Sequence, residues 1–593
     1  MTFEESYTYP GMQMFESKCM LDGDKETSYS PIYRLDFDVL GYIFSMNTEM
    51  GALQLALGEG KQNSTFLPLN ILRSCSQVCR QWRQLACGSS TLWGRVIQVD
   101  LLTQREAYWR DCVMRRTGDA PLCISGVIDG RVEACRLFLH DLLRRQWWRI
   151  RVFDVQISHH SKFDGDTWRV LQRPSPMLQV FKVVPRCWDD YIFLALEETT
   201  GRLFADSAPS LKEFAFPEAP ELYISLQAPW MKHVSTLVLF GGFLSSDMID
   251  ALEDMGDHLE YLELKDGFMK PLVQPRQRVS LPHLRRLSVT NRLQICVFLL
   301  HYLIPAPGCS LFLSTHRNTH IYRNISPKDI SDINTQIWRY ADNFLSVHDA
   351  FVDTLRLAYN SRSFSFTLSH GHAPIATGSF ISPGRRESPE FSVNIVAGFR
   401  LPKQTSRIFL DAIKLSPRTT IVTFDFTPSK VDPMDEENLR PTMVIPYLSS
   451  MTTLATSEYG FELLLLEERN ACHLPCFIED IFPSLHTFTL KYNGPLENRP
   501  TFEICILSFL KARIITGRPL PTLDVSDFAL EKLWIRSRGR EIKNWKYLED
   551  IPGLKVILHS RRSIYGVVAN FRNDGEWEEF YVCGSGEPNR LVS

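Results

Sequence analysis

One six-residue pattern, apolar-x-x-apolar-x-apolar, returns along this chain and restricts its fold more than any other feature. It occurs as Ile150-Phe153-Val155, Leu178-Phe181-Val183, Leu211-Phe214-Phe216, Val234-Leu237-Leu239, Leu259-Leu262-Leu264 and Leu284-Leu287-Val289, with first residues 28, 33, 23, 25 and 25 positions apart. Later copies are Ile421-Phe424-Phe426, Leu485-Phe488-Leu490, Leu530-Leu533-Ile535 and a weaker Leu554-Ile557. Alternation of period two marks a strand with one buried face. Between the strands, Met248, Ile249, Leu252 and Met255 follow helical steps of 1, 3 and 3, and the Leu293–Leu303 run reads as a buried helix. Pro209, Pro282, Pro483 and Pro552 sit just before strands, where no ladder donor is needed. Any α/β domain alternates strands and helices, but a near-constant step favours stacked units that share one core.

The step resembles that of leucine-rich repeats, which implies an α/β fold with an irregular leucine-rich-repeat-like solenoid. That family carries Asn or Cys eight positions after the first apolar residue. Here Ala219, Gly242, Gly267 and Arg292 stand there, so the repeats are degenerate. A first part is expected over residues 98–313 and a second part with a C-terminal cap over 416–593. Between 314 and 415 the period is lost. "SFSFTLSHG" and "EFSVNIVAGF" still read as strands around a "SPGRRESPE" loop, either as long-insert repeats or as a β-rich interruption.

Upstream lies "SCSQVCRQWRQLACGSSTLWGRV", from Ser74 to Val96. Ile71, Leu72, Cys75, Val78, Cys79, Trp82, Leu85 and Ala86 mark one helical stripe, which Gly88 ends by access to positive φ. Arg73, Gln77, Arg80, Gln81, Arg83 and Gln84 take the opposite face, and Leu92-Trp93 forms a second apolar knot. A zinc site at Cys75 and Cys79 needs two further ligands, and no His precedes His140. Earlier, Leu35, Val39, Leu40, Ile43 and Phe44 form another helical stripe with Asp36 at its N-cap. A loop-like spacer from about 47 to 68 separates the two. Periodicity alone also allows a small helical lid on a larger domain.

The order of these elements resembles the F-box family. Leu35, Val39, Leu40, Ile43 and Phe44 match its Leu-Pro-x-Glu-[Val/Ile]-Leu-x-x-Ile-[Phe/Leu] start. Val78, Cys79, Arg80, Trp82, Arg83, Leu85 and Ala86 match its "VCRxWRxLA", and Ser90, Leu92 and Trp93 its closing element. The second half looks most like the F-box sets of mushroom-forming fungi. Asp36 replaces the usual Pro, Asp38 replaces Glu, and the spacer is long. The resemblance implies a small all-α F-box-like domain over 31–97, after a tail at 1–30. It also implies a Skp-type adaptor and cullin complex as partners, with Pro31, Leu35, Val39, Leu40, Ile43 and Phe44 bearing on the adaptor.

Bulk properties narrow the function further. The 593 residues carry a net charge of -3, without the basic excess of a general nucleic-acid binder. Fourteen cysteines without a CxxC pair, and no secretory leader, suit a reducing cytoplasm or nucleus. No apolar run is long enough to span a bilayer, so no membrane partner is expected. HExxH, GxSxG, GxGxxG and P-loop motifs are absent. "ALGEGKQNS" has Leu55 in place of the first P-loop glycine and Gln62 after Lys61; "CHLPC" and His159-His160 lack partners. No cofactor, metal or catalytic residue is therefore expected.

The F-box resemblance implies a non-catalytic substrate receptor of an SCF-type ubiquitin ligase, with an unknown protein substrate on the repeats. In such a solenoid the strand residues facing away from the core would touch that substrate: Glu213, Thr236, Tyr261, Glu263, Arg286, Ser288, Thr487, Lys491, Lys532 and Trp534. Two readings stand beside it: a repeat scaffold with a decayed F-box, and a hydrolase with an F-box-like accessory.

Overall fold

The computed structural model describes residues 35–48, 67–103, 107–158, 165–185, 202–216, 226–240, 245–265, 277–315, 327–348, 352–359, 363–369, 389–396, 423–428, 450–471, 482–491, 500–526, 545–560 and 578–585. Short helices come first: α1 (Phe37–Asn47), α2 (Pro68–Val78), α3 (Arg80–Gly88), α4 (Ser90–Gly94), α5 (Val99–Leu102) and α6 (Ala107–Arg116). Asp36 has the extended backbone of an N-cap, but its side chain makes no cap bond. Thr48 closes α1 by donating its hydroxyl to Phe44 O at 2.8 Å.

The stripe expected to form one helix from Ile71 to Ala86 is broken in two. Cys79 is extended (φ -153°, ψ 174°), and its Sγ accepts the Trp82 N–H at 3.5 Å, so the thiol caps α3. The break turns Val78 out to solvent. Gly88 does end α3, but not with a positive φ.

The rest of the described chain is built on one sheet of 18 strands. In chain order the strands are β1 (Ile97–Gln98), β2 (Leu122–Asp129), β3 (Ile150–Ser158), β4 (Val180–Pro185), β5 (Glu213–Phe216), β6 (Thr236–Phe240), β7 (Tyr261–Lys265), β8 (Val279–Leu281), β9 (Arg286–Asn291), β10 (Leu303–Pro305), β11 (Ser310–Thr315), β12 (Thr354–Tyr359), β13 (Ser363–Ser369), β14 (Glu390–Val396), β15 (Thr423–Pro428), β16 (Thr453–Ser457), β17 (Thr487–Lys491), β18 (Thr522–Asp524), β19 (Lys555–Ser560) and β20 (Glu578–Val582). The β8–β10 pair stands apart.

From β1 to β11 every neighbour in the large sheet is parallel. The second apolar residue of each repeat stays in register: Phe153, Phe181, Phe214, Leu237, Leu262, Leu287 and Leu311 are consecutive cross-strand partners. Phe153, Phe181 and Phe214 stack in that row, with centroids 5.7 and 5.9 Å apart. Such a row repeats one favourable aromatic contact at each strand spacing.

The prolines noted before the strands hold the second position of β-turns. Leu211 N–H returns to Ala208 O, Leu284 N–H to Leu281 O, Leu485 N–H to Phe482 O and Leu554 N–H to Ile551 O. Proline presets φ at that turn position. Helices pack on the core side. They include α7 (Glu133–Gln146), α8 (Gly165–Arg169), α9 (Ser245–Met255) and α10 (Leu293–Tyr302). Met248, Ile249, Leu252 and Met255 are buried on α9, and six residues of α10 are buried.

Where the sequence loses its period, the topology changes. After β11 the chain forms α11 (Pro327–His348), passes over two strand positions to β12, and returns through β13 and β14. β14 pairs parallel with β11, and β12 pairs parallel with β15, while β13 runs antiparallel to both of its neighbours. The region is therefore a β interruption with one reversed strand. Helix α11 is fastened to the preceding turn by Tyr340, whose hydroxyl donates to Leu303 O at 2.9 Å, and by Asn343, which donates to Ala306 O at 2.8 Å. Beyond β15 the parallel run resumes to β19, and β20 closes it antiparallel. The copy Leu530-Leu533-Ile535 lies outside the described residues. Leu554-Ile557 is one residue out of step, because Leu523 pairs with Val556 and Ile557 takes the other face.

Candidate docking surfaces

Helix α1 separates its side chains sharply. Leu40 and Phe44 are buried against α2 and α3, with the Phe44 ring edge-on to Trp82 at 4.9 Å. Leu35 and Ile43 are half-buried. Val39 (45% exposed), Tyr42 (67%) and Met46 (55%) follow the i, i+3, i+7 spacing of one outward stripe. Phe37, at the start of α1, and Val78, at the end of α2, are also exposed. Of the residues expected to bear on an adaptor, Val39 and Ile43 thus reach the surface of α1, while Leu40 and Phe44 offer none. Pro31 lies outside the described residues. Sequence reasoning missed Tyr42 and Met46, since tyrosine and methionine suit either face of a helix.

Apart from the exposed Val78, Arg80 and Arg83, the second half of the motif is turned inward. Trp93 is fully buried; its indole N–H donates to Ala86 O at 2.7 Å, and Arg116 lies over its ring at 4.7 Å. Ala86 and Leu92 are buried, and Trp82 and Leu85 pack on the same core. Cys75 is half-buried, and burial pushes its thiol up.

The face of the sheet opposite the core is more closed than the sequence implies. Thr236, Glu263 and Ser288 are buried, and Glu213, Tyr261, Arg286, Thr487 and Lys491 are half-buried. Lys532 and Trp534 lie outside the described residues. The charges on this face are paired. Lys182 bonds Glu213 at 2.6 Å, Lys265 bonds Glu263 at 2.6 Å, and Lys491 bonds Asp425. Tyr261 donates its hydroxyl to Glu263 at 2.9 Å, and Arg286 lies over the Tyr261 ring at 5.7 Å. Burial, with Glu263 adding to it, pushes the Tyr261 hydroxyl well above its ordinary range, so it stays a donor. Asp154 lies across the ladder from Lys182; burial holds its carboxyl above the usual range, against the pull of Lys182. Ala215, Val238 and Phe240 form a small second apolar cluster on this face.

Among the described residues, no three His, Cys, Asp or Glu side chains are grouped to hold a metal, and no helix is long and apolar enough to cross a membrane. The "ALGEGKQNS" and "CHLPC" stretches and His159-His160 lie outside the described residues. No curated protein matches the chain. One family does: the model described as F-box-like matches residues 38–98, the segment that holds the outward stripe of α1 and the inward tryptophans. The chain thus carries an F-box-like domain followed by a strand-rich region with a long, mainly parallel sheet.

Proposed function

We propose that this chain is the substrate-recognition subunit of an SCF-type cullin–RING ubiquitin ligase. The F-box-like helices dock a Skp-type adaptor, and the sheet region, read as an irregular leucine-rich-repeat-like solenoid, holds a protein substrate. The chain performs no chemistry of its own and raises the local concentration of its target at the ligase, in the cytoplasm or nucleus.

The observation that carries this reading is the outward stripe Val39, Tyr42 and Met46. Three large side chains on one helical face stay exposed among the described residues, and such patches mark binding sites. For substrate, the half-buried Tyr261, Arg286, Thr487 and Lys491 are the best-placed of the expected contacts. The alternative of a scaffold with a decayed F-box draws support from Asp36, which stands where the family has Pro and gives α1 no side-chain cap.

Affinity for a purified Skp-type adaptor tests the reading. The intact chain should bind, and a Tyr42→Asp, Met46→Asp variant with an unchanged circular dichroism spectrum should bind about tenfold or more weakly. No binding by the intact folded chain, or equal binding by the variant, would overturn it.

A further inference from the structure

The F-box-like helices are not tethered to the sheet; they complete it. β1 follows α4 after two residues and pairs with β2, Ile97 opposite Ile124 and Gln98 opposite Ser125. Asp100, in α5, then accepts the Val127 backbone N–H further along the same edge of β2. Gly94 ends α4 so close to Pro121 that a Cβ would stand 2.5 Å from the Pro121 carbonyl oxygen. Phe44, Leu69, Leu72, Ala86, Leu92 and Trp93 belong to the same buried cluster as Ile124, Leu139 and Phe153.

Without these helices, β2 would be an eight-residue edge strand with an open apolar flank. Open strand edges invite pairing with other chains, and stacked repeats need a distinct terminal unit to remain soluble. Arg149, just before β3, adds a second fastening: it donates to Ala120 O at 2.6 Å and to Thr117 Oγ1 at 3.0 Å, at the end of α6.

We propose that the F-box-like helices have a second function, independent of any adaptor, as the N-terminal cap that keeps the sheet folded and monomeric. The residues of the F-box-like segment then divide by task. Leu72, Ala86, Leu92 and Trp93 serve the cap, while Val39, Tyr42 and Met46 do not.

Hydrogen exchange and light scattering on the full chain test this. In the Leu72→Ala and Trp93→Ala variants, amides of β2 and β3 should exchange at least tenfold faster, and the chain should self-associate. The Tyr42→Asp, Met46→Asp variant should change neither. Should a cap variant fail to fold, native-state exchange of the wild type in rising urea decides: α2, α3, β2 and β3 should open together. Separate opening of the helices, with β2 and β3 still protected and the chain still monomeric, would overturn the proposal.

Discussion

Gly126 lies where β2 meets α5, at φ +117°. A Cβ built there stands 2.1 Å from Asp100 Oδ1 and 3.3 Å from the Val99 backbone nitrogen. Gly126→Ala therefore has two separable costs. The backbone conformation is one that L-residues avoid, at about 1–2 kcal/mol. Asp100 must also swing aside and give up its bond from the Val127 N–H, a charge-assisted contact worth about 1.5–3 kcal/mol. The sum is about 2.5–5 kcal/mol. Only the first part should remain in an Asp100→Ala background, where the obstructing carboxylate is already gone. A double-mutant cycle therefore predicts a coupling of about 1.5–3 kcal/mol. Exchange of the β2 and β3 amides in urea is the suitable assay, because a chain of this length does not unfold in one two-state step. Equal costs of Gly126→Ala in both backgrounds would refute the steric part of the argument, and a neutral substitution would refute both parts.

Three further outcomes are expected. Asp154→Asn should stabilise the chain at neutral pH. Burial holds the native carboxyl above its unfolded range, so native stability falls as pH rises from about 4 through the folded value; the gain should vanish near pH 4 in urea titrations across pH. Ala205→Gly should raise the local opening free energy read by amide exchange in urea by about 0.5–1 kcal/mol, since Ala205 sits at φ +46° within a left-handed turn of Phe204, Ala205 and Asp206. Arg513→Met should lower stability by about 2–4 kcal/mol in the same assay. The buried guanidinium donates to Phe482 O at 3.0 Å and Leu485 O at 3.1 Å, and both carbonyls would lose a partner.

Much of the sheet was legible because its core row is spelled with large apolar residues at a near-constant step. Several strands that escaped notice lack one or two letters of that spelling. β2 has Pro121 and Gly126 at two of the three positions, β11 has Gly308 at the first, and β16 has the buried Thr456 at the third. β12 and β18 keep the full spelling, in Val352-Leu355-Leu357 and Leu520-Leu523-Val525, but stand off the near-constant step. The break at Cys79 was hidden because a kinked pair of helices can continue one apolar stripe across the joint. Closure of the outer sheet face left no trace in the pattern either. It arises from neighbours: parallel strands lie about 4.8 Å apart, so the long stems of Lys182, Lys265 and Arg286 cover shorter side chains beside them.

The two halves of the F-box-like segment are held by different physics. Ala86, Leu92 and Trp93, among the letters that make it recognisable, are letters of burial. Any chain that needed this cap would keep them, whatever it bound. The stripe on α1 has the opposite logic, because Val39, Tyr42 and Met46 leave apolar surface facing water among the described residues. If α1 docks an adaptor as proposed, a substitution at Trp93 reports on the sheet and a substitution at Tyr42 reports on the partner. A chain that had lost its adaptor would drift at Tyr42 and Met46 first while keeping Trp93, since Trp93 packs the helices that bring Ile97 and Gln98 to the edge of β2.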